Sequence, residues 1–218
     1  VLTQDRFNST SPNIVVDSSK NVHIIWEDYR DGNPEIYYNK LNDEGKLLIH
    51  NKRLTNNIYN SKNPSLVADL QDNIHITWQD DKDGNKEIYY QKMDNNGNVL
   101  INNKRITANT FKSERPLVQT DQENNVIILW FDDRDVNFNI YYKKLDGNGN
   151  FIVSDKKLTT DIVVDFDVVS NANVTAIETN PIVIDLLKNQ YASYSGNIYN
   201  KADVLFEEGR SFIKNKCD

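Results

Sequence analysis

The stretch Trp26-Glu27-Asp28-Tyr29-Arg30-Asp31-Gly32-Asn33-Pro34-Glu35-Ile36-Tyr37-Tyr38 returns twice further along the chain with no residue inserted or deleted. It recurs as Trp78-Gln79-Asp80-Asp81-Lys82-Asp83-Gly84-Asn85-Lys86-Glu87-Ile88-Tyr89-Tyr90 and as Trp130-Phe131-Asp132-Asp133-Arg134-Asp135-Val136-Asn137-Phe138-Asn139-Ile140-Tyr141-Tyr142. The tryptophans at 26, 78 and 130 fix a period of 52 residues, and a fixed period of this size marks a repeat architecture.

Working outward, each copy opens on Leu-Thr or Ile-Thr (Leu2-Thr3, Leu54-Thr55, Ile106-Thr107), giving repeats 2–53, 54–105 and 106–157. Leu158-Thr159 begins a fourth copy, but Val168 stands where its proline belongs and Ile182 where its tryptophan belongs. The prolines Pro12, Pro64 and Pro116 predict the start of a first strand, over Asn13–Asp17, Ser65–Asp69 and Leu117–Asp121, since proline lacks an amide donor. The second strand ends on the tryptophan. Val22, Ile24 and Trp26 alternate with His23 and Ile25, so both faces are apolar enough to be covered. A third runs through Glu35–Leu41 and its copies, rich in aromatic and β-branched residues. Gly45, Gly97 and Gly149 turn the chain into a fourth, at Leu47–His50, Val99–Asn102 and Phe151–Ser154.

Four short antiparallel strands per 50-odd residues, repeated end to end, predict an all-β, β-propeller-type array of three four-stranded blades over residues 1–159. The tryptophans should be buried between neighbouring blades. Residues 160–218 read as a small extension: a strand over 162–169, a helix over Ile182–Tyr194 after Asn180-Pro181, and a second helix over Asn200–Asn215. Known propellers close with about four to eight blades, so three copies predict partners: further blades of a parent protein, whose boundary Leu2-Thr3 marks, or a second copy.

A net charge of −7 and a pI of about 5.0 argue against nucleic acid or an anionic membrane surface as partner. No run of apolar residues is long enough to insert into a membrane. The single cysteine, Cys217, makes an intrachain disulfide impossible. His23, His50 and His75 show no ligand spacing, and Ile127 occupies the position of His23 and His75 in the third copy, which marks it as a packing position.

The richest polar cluster is the loop after the tryptophan strand: Asp28, Arg30, Asp31 and Asn33; Asp80, Lys82, Asp83 and Asn85; Asp132, Arg134, Asp135 and Asn137. In a propeller this loop shares an end with the connections between blades, so these residues are the candidate ligand-binding set. The same residues also suit a tight turn, with glycine supplying positive φ and aspartate accepting from nearby amides. Their oxygens would suit Ca2+, but the spacing departs from known calcium loops, and no other cofactor, metal site or catalytic residue is expected. The tyrosine pairs at 37–38, 89–90 and 141–142 read as strand packing.

The run Val22–Tyr38 resembles repeats of archaeal and bacterial secreted and cell-surface proteins similar to sialidase-type, BNR-like propellers. Asp146-Gly147-Asn148-Gly149-Asn150-Phe151 approximates the Ser-x-Asp-x-Gly-x-x-Trp box of that family, with one more residue between aspartate and glycine and no serine. The resemblance implies a secreted or cell-surface location, which the sequons Asn8-Ser9-Thr10 and Asn173-Val174-Thr175 also permit. It further implies carbohydrate or protein binding. No asymmetric arginine triad is present, so a non-catalytic binding or scaffolding module is expected. The alternative is part of a sialidase-like glycoside hydrolase or lyase whose catalytic residues lie largely outside this chain.

Overall fold

The computed structural model describes residues 6–135 and 137–159, and the strands 202–207 and 210–215. The chain divides into two units, Val1–Lys157 and Leu158–Asp218. The first holds three four-stranded antiparallel sheets, one per repeat. Strands β1 (Ser9–Val16), β2 (Val22–Asp28), β3 (Glu35–Leu41) and β4 (Leu47–Arg53) make the first blade in simple up-and-down order. β5 (Ser61–Ala68), β6 (Ile74–Asp80), β7 (Glu87–Met93) and β8 (Val99–Arg105) make the second. β9 (Ser113–Thr120), β10 (Val126–Asp135), β11 (Asn137–Leu145) and β12 (Phe151–Lys157) make the third. The first strand of each blade lies against that of the next, β1 against β5 and β5 against β9, and the fourth strands are the exposed outer edges. This is the expected β-propeller array.

The first strand of each blade starts four residues before the expected position, and the proline lies inside it. The residue before each proline, Ser11, Asn63 or Arg115, takes φ near +50° (50, 52 and 50), and the pairing register slips there in every blade. A bulge thus absorbs the missing amide, so the ladder resumes beyond it. The fourth strands likewise extend past a slip, to Arg53, Arg105 and Lys157.

Blades pack face to face. Ile25, Ile36 and Tyr38 of the first meet Leu66, Ile74, Ile76, Trp78, Tyr89 and Met93 of the second. Ile88 and Tyr90 of the second meet Val118, Val126, Ile128, Trp130, Tyr141 and Leu145 of the third. Trp26, Trp78 and Trp130 are 4%, 0% and 1% exposed, and all but Tyr142 of the tyrosine pairs are buried.

In the second unit, Ala202–Glu207 (β13) and Arg210–Asn215 (β14) form an antiparallel pair, from Ala202 opposite Asn215 to Glu207 opposite Arg210. This corrects the helix expected over Asn200–Asn215. Val204, Phe206, Phe212 and Ile213 are β-formers, which favours the paired strands over a helix. The expected strand at 162–169 and helix at 182–194 lie outside the described residues.

Candidate functional site

The loop after each tryptophan strand sits at the end of the blades where one blade connects to the next. The Asn33 side chain donates to the Asn57 carbonyl at 3.1 Å and to that of Tyr59, and Ser61 N donates to Pro34 O at 2.9 Å. Asn85 repeats this with the carbonyls of Asn109 (3.0 Å) and Phe111.

Within the loop the first aspartate is an internal hub. Asp28, fully buried, accepts from Trp26 Nε1 (2.8 Å), Arg30 N (3.0 Å) and the Arg30 guanidinium (2.8 and 2.5 Å). Asp132 does the same with Trp130 (2.9 Å), Arg134 N (3.1 Å) and the Arg134 guanidinium (2.7 and 2.7 Å), and takes Ser113 Oγ at 2.9 Å. Burial would raise both carboxyls, but these donors outweigh it and hold them below the ordinary aspartate value. Asp80 accepts from Ser61 Oγ (2.8 Å), Lys82 N (3.0 Å), Asn57 (3.1 Å) and, at 3.4 Å, Trp78.

The cation at the next repeat position then lies over the buried tyrosine: Arg30 over Tyr37 at 4.4 Å, Lys82 over Tyr89 at 3.7 Å, Arg134 over Tyr141 at 4.3 Å. Tyrosine and tryptophan rings are 5.9–6.1 Å apart. The second aspartate accepts the same tyrosine's hydroxyl, Asp31 from Tyr37 (2.6 Å), Asp83 from Tyr89 and Asp135 from Tyr141 (2.5 Å). Each is also paired with a base from the fourth strand: Arg53 (3.3 Å), Arg105 (3.2 Å) or Lys157 (3.0 Å). Burial first, then this hydrogen bond, raise Tyr37 and Tyr141 to about 12.

Each blade therefore stacks tryptophan, tyrosine and cation, with an aspartate at either side. Asn33 and Asn85 tie that stack to the following connection, and in the third blade Asn137 accepts from Asn139 at 3.0 Å through its carbonyl. All twelve expected residues thus have partners inside the array, and the three loops are three copies of one structural node. Among the described residues no group of three or more histidine and acidic side chains is arranged to hold a metal ion.

Two features of this end escaped the sequence reading. The connections between blades display Phe7, Tyr59 and Phe111 at one repeat position, 56%, 44% and 46% exposed. The backbone beneath the latter two is pinned. Tyr59 N donates to Asn57 Oδ1 and Phe111 N to Asn109 Oδ1, both at 2.7 Å, while their carbonyls accept from Asn33 and Asn85. The second is the bulge, where side chains differ from blade to blade: Thr10-Ser11, Lys62-Asn63 and Glu114-Arg115. Asn63 N and Arg115 N donate to Glu27 and Gln79 of the preceding blade, both at 2.8 Å, so these positions are held too. Beside the second bulge a cleft of about 150 Å³ is lined by Asn60, Lys62, Gln79, Asp80, Asp81 and Lys86. The 52-residue spacing of Phe7, Tyr59 and Phe111 was available in the sequence; their exposure was not.

No family model and no curated protein matches the sequence. Solved structures do match by shape. The endo-arabinase from Bacteroides thetaiotaomicron superposes with a TM-score of 0.50 at 14% identity, over 69% of this chain and 62% of that one. A polysaccharide lyase of family PL25, an ulvan lyase bound to -[GlcA(1-4)Rha3S]-, gives 0.53 at 8% identity, over 71% and 44%. At these identities the likeness is one of fold, and the chain spans less than two thirds of either structure.

Proposed function

We propose that this chain is a non-catalytic glycan-binding propeller segment of a secreted or cell-surface protein. The observation that carries the reading is the row of exposed aromatic residues, Phe7, Tyr59 and Phe111, at the end where blades connect. A flat apolar ring held on a pinned backbone suits the C–H face of a sugar, and stacking of this kind needs no charge. Specific hydroxyl recognition requires polar groups that differ around the ring, and the bulge residues Thr10, Ser11, Lys62, Asn63, Glu114 and Arg115 supply them. The repeated aspartate–tryptophan–tyrosine–cation nodes give no asymmetric acid–base pair for cleavage.

Glycan-array screening of the 218-residue chain, followed by calorimetry with the best hit, tests this. Tyr59→Ala and Phe111→Ala should lower affinity severalfold while leaving the melting temperature unchanged. Unchanged affinity in both would refute the stacking role. A second reading, part of a glycoside hydrolase or lyase completed by other blades, draws on the names of the structures that share the fold, an endo-arabinase and an ulvan lyase. Turnover of any polysaccharide by this chain would favour it.

A further inference from the structure

We propose that the cleft beside the second bulge is a subsite for adjacent hydroxyls of an uncharged sugar, next to the ring of Tyr59. The proposal rests on the glycan-binding reading above, and it names the place on the array and the class of sugar. The cleft holds about 150 Å³, against roughly 300 Å³ for the smallest pockets that enclose a small ligand. It therefore takes one edge of a sugar unit, with the rest of the ligand outside. Asn60, which lines it, directly follows Tyr59 in the connection, so an exposed ring adjoins it.

The cleft contains donors that the fold leaves unspent. Lys62 is half-buried, yet it pairs with no carboxylate among the described residues; its ammonium lies 5.9 Å from the centre of the Tyr29 ring. Gln79 is 5% exposed, and its side-chain carbonyl accepts from Arg115 N at 2.8 Å, which leaves its amide hydrogens without a partner among the described residues. A buried donor without a partner costs free energy, and a ligand that accepts from it recovers that cost. The other blades close the same positions. In the first, Thr10 Oγ1 donates to Glu27 Oε2 at 3.2 Å, and Tyr29 and Pro34 stand at the positions of Asp81 and Lys86. In the third, Glu114 accepts from Lys86 of the second blade at 2.6 Å, and Phe131 stands at the position of Gln79.

Asp81 supplies the acceptor. Its two oxygens take Asn60 N at 2.7 Å and Asn60 Nδ2 at 2.8 Å, one bond each, whereas a carboxylate offers about four acceptor sites. Asp80 is already spent on Ser61, Asn57, Trp78 and Lys82 N. A hydroxyl both accepts and donates, so it can accept from Lys62 or Gln79 and donate to Asp81, and two adjacent hydroxyls serve both donors at once. A carboxylate or sulfate can only accept. It would also face Asp80 and Asp81, while Glu114 already neutralises Lys86, so no net positive charge offsets its loss of water. The lining thus selects an uncharged sugar.

Nuclear magnetic resonance of the isotope-labelled 218-residue chain, titrated with methyl β-glucoside, its galacto and manno counterparts and methyl β-glucuronide, tests this. At least one neutral glycoside should shift the side-chain amide signals of Asn60 and Gln79, and the glucuronide should bind severalfold more weakly. Lys62→Thr and Gln79→Glu install the first blade's residues. Glu27 accepts Asn63 N at 2.8 Å just as Gln79 accepts Arg115 N, so the joint keeps its hydrogen bond in Gln79→Glu. Each substitution should weaken binding about tenfold, the loss of one such hydrogen bond, with the melting temperature unchanged. A glycan whose binding is weakened by Tyr59→Ala but indifferent to both substitutions would overturn the subsite and leave the stacking reading standing. Shifts from none of these sugars would overturn the subsite even where the array finds a ligand, and tighter binding of the glucuronide would overturn the uncharged class. An array without any hit would defeat the subsite together with the reading on which it rests.

Discussion

Replacing Trp78 by alanine removes the largest buried side chain at the joint between the first and second blades. Trp78 is 0% exposed, stacks on Tyr89 at 6.0 Å and sits among Ile25, Ile36 and Tyr38 from the other blade. A buried aromatic of this class removes about 150–250 Å² from water, and at about 25 cal/mol per Å² that is roughly 4–6 kcal/mol. Measured aromatic-to-alanine losses are about 3–5 kcal/mol, because neighbours partly collapse into the cavity. The indole hydrogen bond adds little here, since Trp78 Nε1 lies 3.4 Å from Asp80, against 2.8 and 2.9 Å for Trp26 and Trp130. Trp78→Phe keeps the stack on Tyr89, so it should cost no more than about half as much. Urea unfolding followed by circular dichroism reads both values. A Trp78→Ala protein with an unchanged midpoint would refute the claim that this joint is held by packing.

Other consequences follow from differences among the copies. Lys82→Arg should stabilise by about 0.5–1 kcal/mol, because arginine at 30 and 134 adds a two-pronged bond to the hub aspartate that Lys82 does not make; a lower melting temperature would count against the node. Gly45, Gly97 and Gly149 all have φ near +80° (79, 81 and 82), but an added Cβ meets Ile49 at 2.8 Å at Gly97 and Ile101 at 2.7 Å at Gly149, and nothing within 4 Å at Gly45. Alanine should therefore cost about 1 kcal/mol at Gly45 and clearly more at the other two, as thermal melts would show. At low pH, burial holds His23 and His75 below their ordinary 6.5, so the unfolded chain takes up protons first and stability falls as pH drops below about 6.5. Asp17 and Asp69, also depressed, extend the loss below about 4. At high pH the raised Tyr37 and Tyr141 favour the folded state until the unfolded tyrosines ionise, so stability should fall from about pH 10 upward, readable as a 295 nm transition that coincides with unfolding.

The period, the blade count and the burial of the tryptophans were legible because alternation and a gap-free repeat are properties of side-chain order alone. Strand starts were not. Proline was read as a boundary, whereas the chain carries Pro12, Pro64 and Pro116 inside the strand by putting the preceding residue at positive φ. A bulge of that kind depends on the neighbouring ladder, which local sequence does not specify. Asn200–Asn215 misled for a related reason: its apolar residues satisfy a helical face and a hairpin about equally, and pairing decides between them. For the site, the sequence located the polar loops and the end they share. It could not show that every carboxylate there already has its donors, nor that the rings at 59 and 111 point outward from a pinned backbone.

The buried histidines show why repetition matters when chemistry is assigned. His23 lies 3.0 Å from Asp17 and 2.8 Å from the Tyr38 hydroxyl, and His75 repeats both distances with Asp69 and Tyr90. Aspartate, histidine and a hydroxyl in line have the form of a catalytic relay. Burial keeps the ring neutral, though, and a carboxylate can only accept, so Nε2 carries the proton and Nδ1 accepts from the tyrosine. That tyrosine is 0% exposed and its affinity for its proton is raised, first by burial, so no substrate reaches it and it does not ionise as a nucleophile would. In the third blade Ile127 takes the histidine's place and Asp121 is instead paired with Lys144 at 2.8 Å, with the blade still formed. A fully buried group that recurs in two blades and gives way to isoleucine in the third serves packing. On the proposed binding reading, recognition falls to positions at the connecting end: the exposed rings at 7, 59 and 111, which no blade buries, and the bulge residues, which differ from blade to blade.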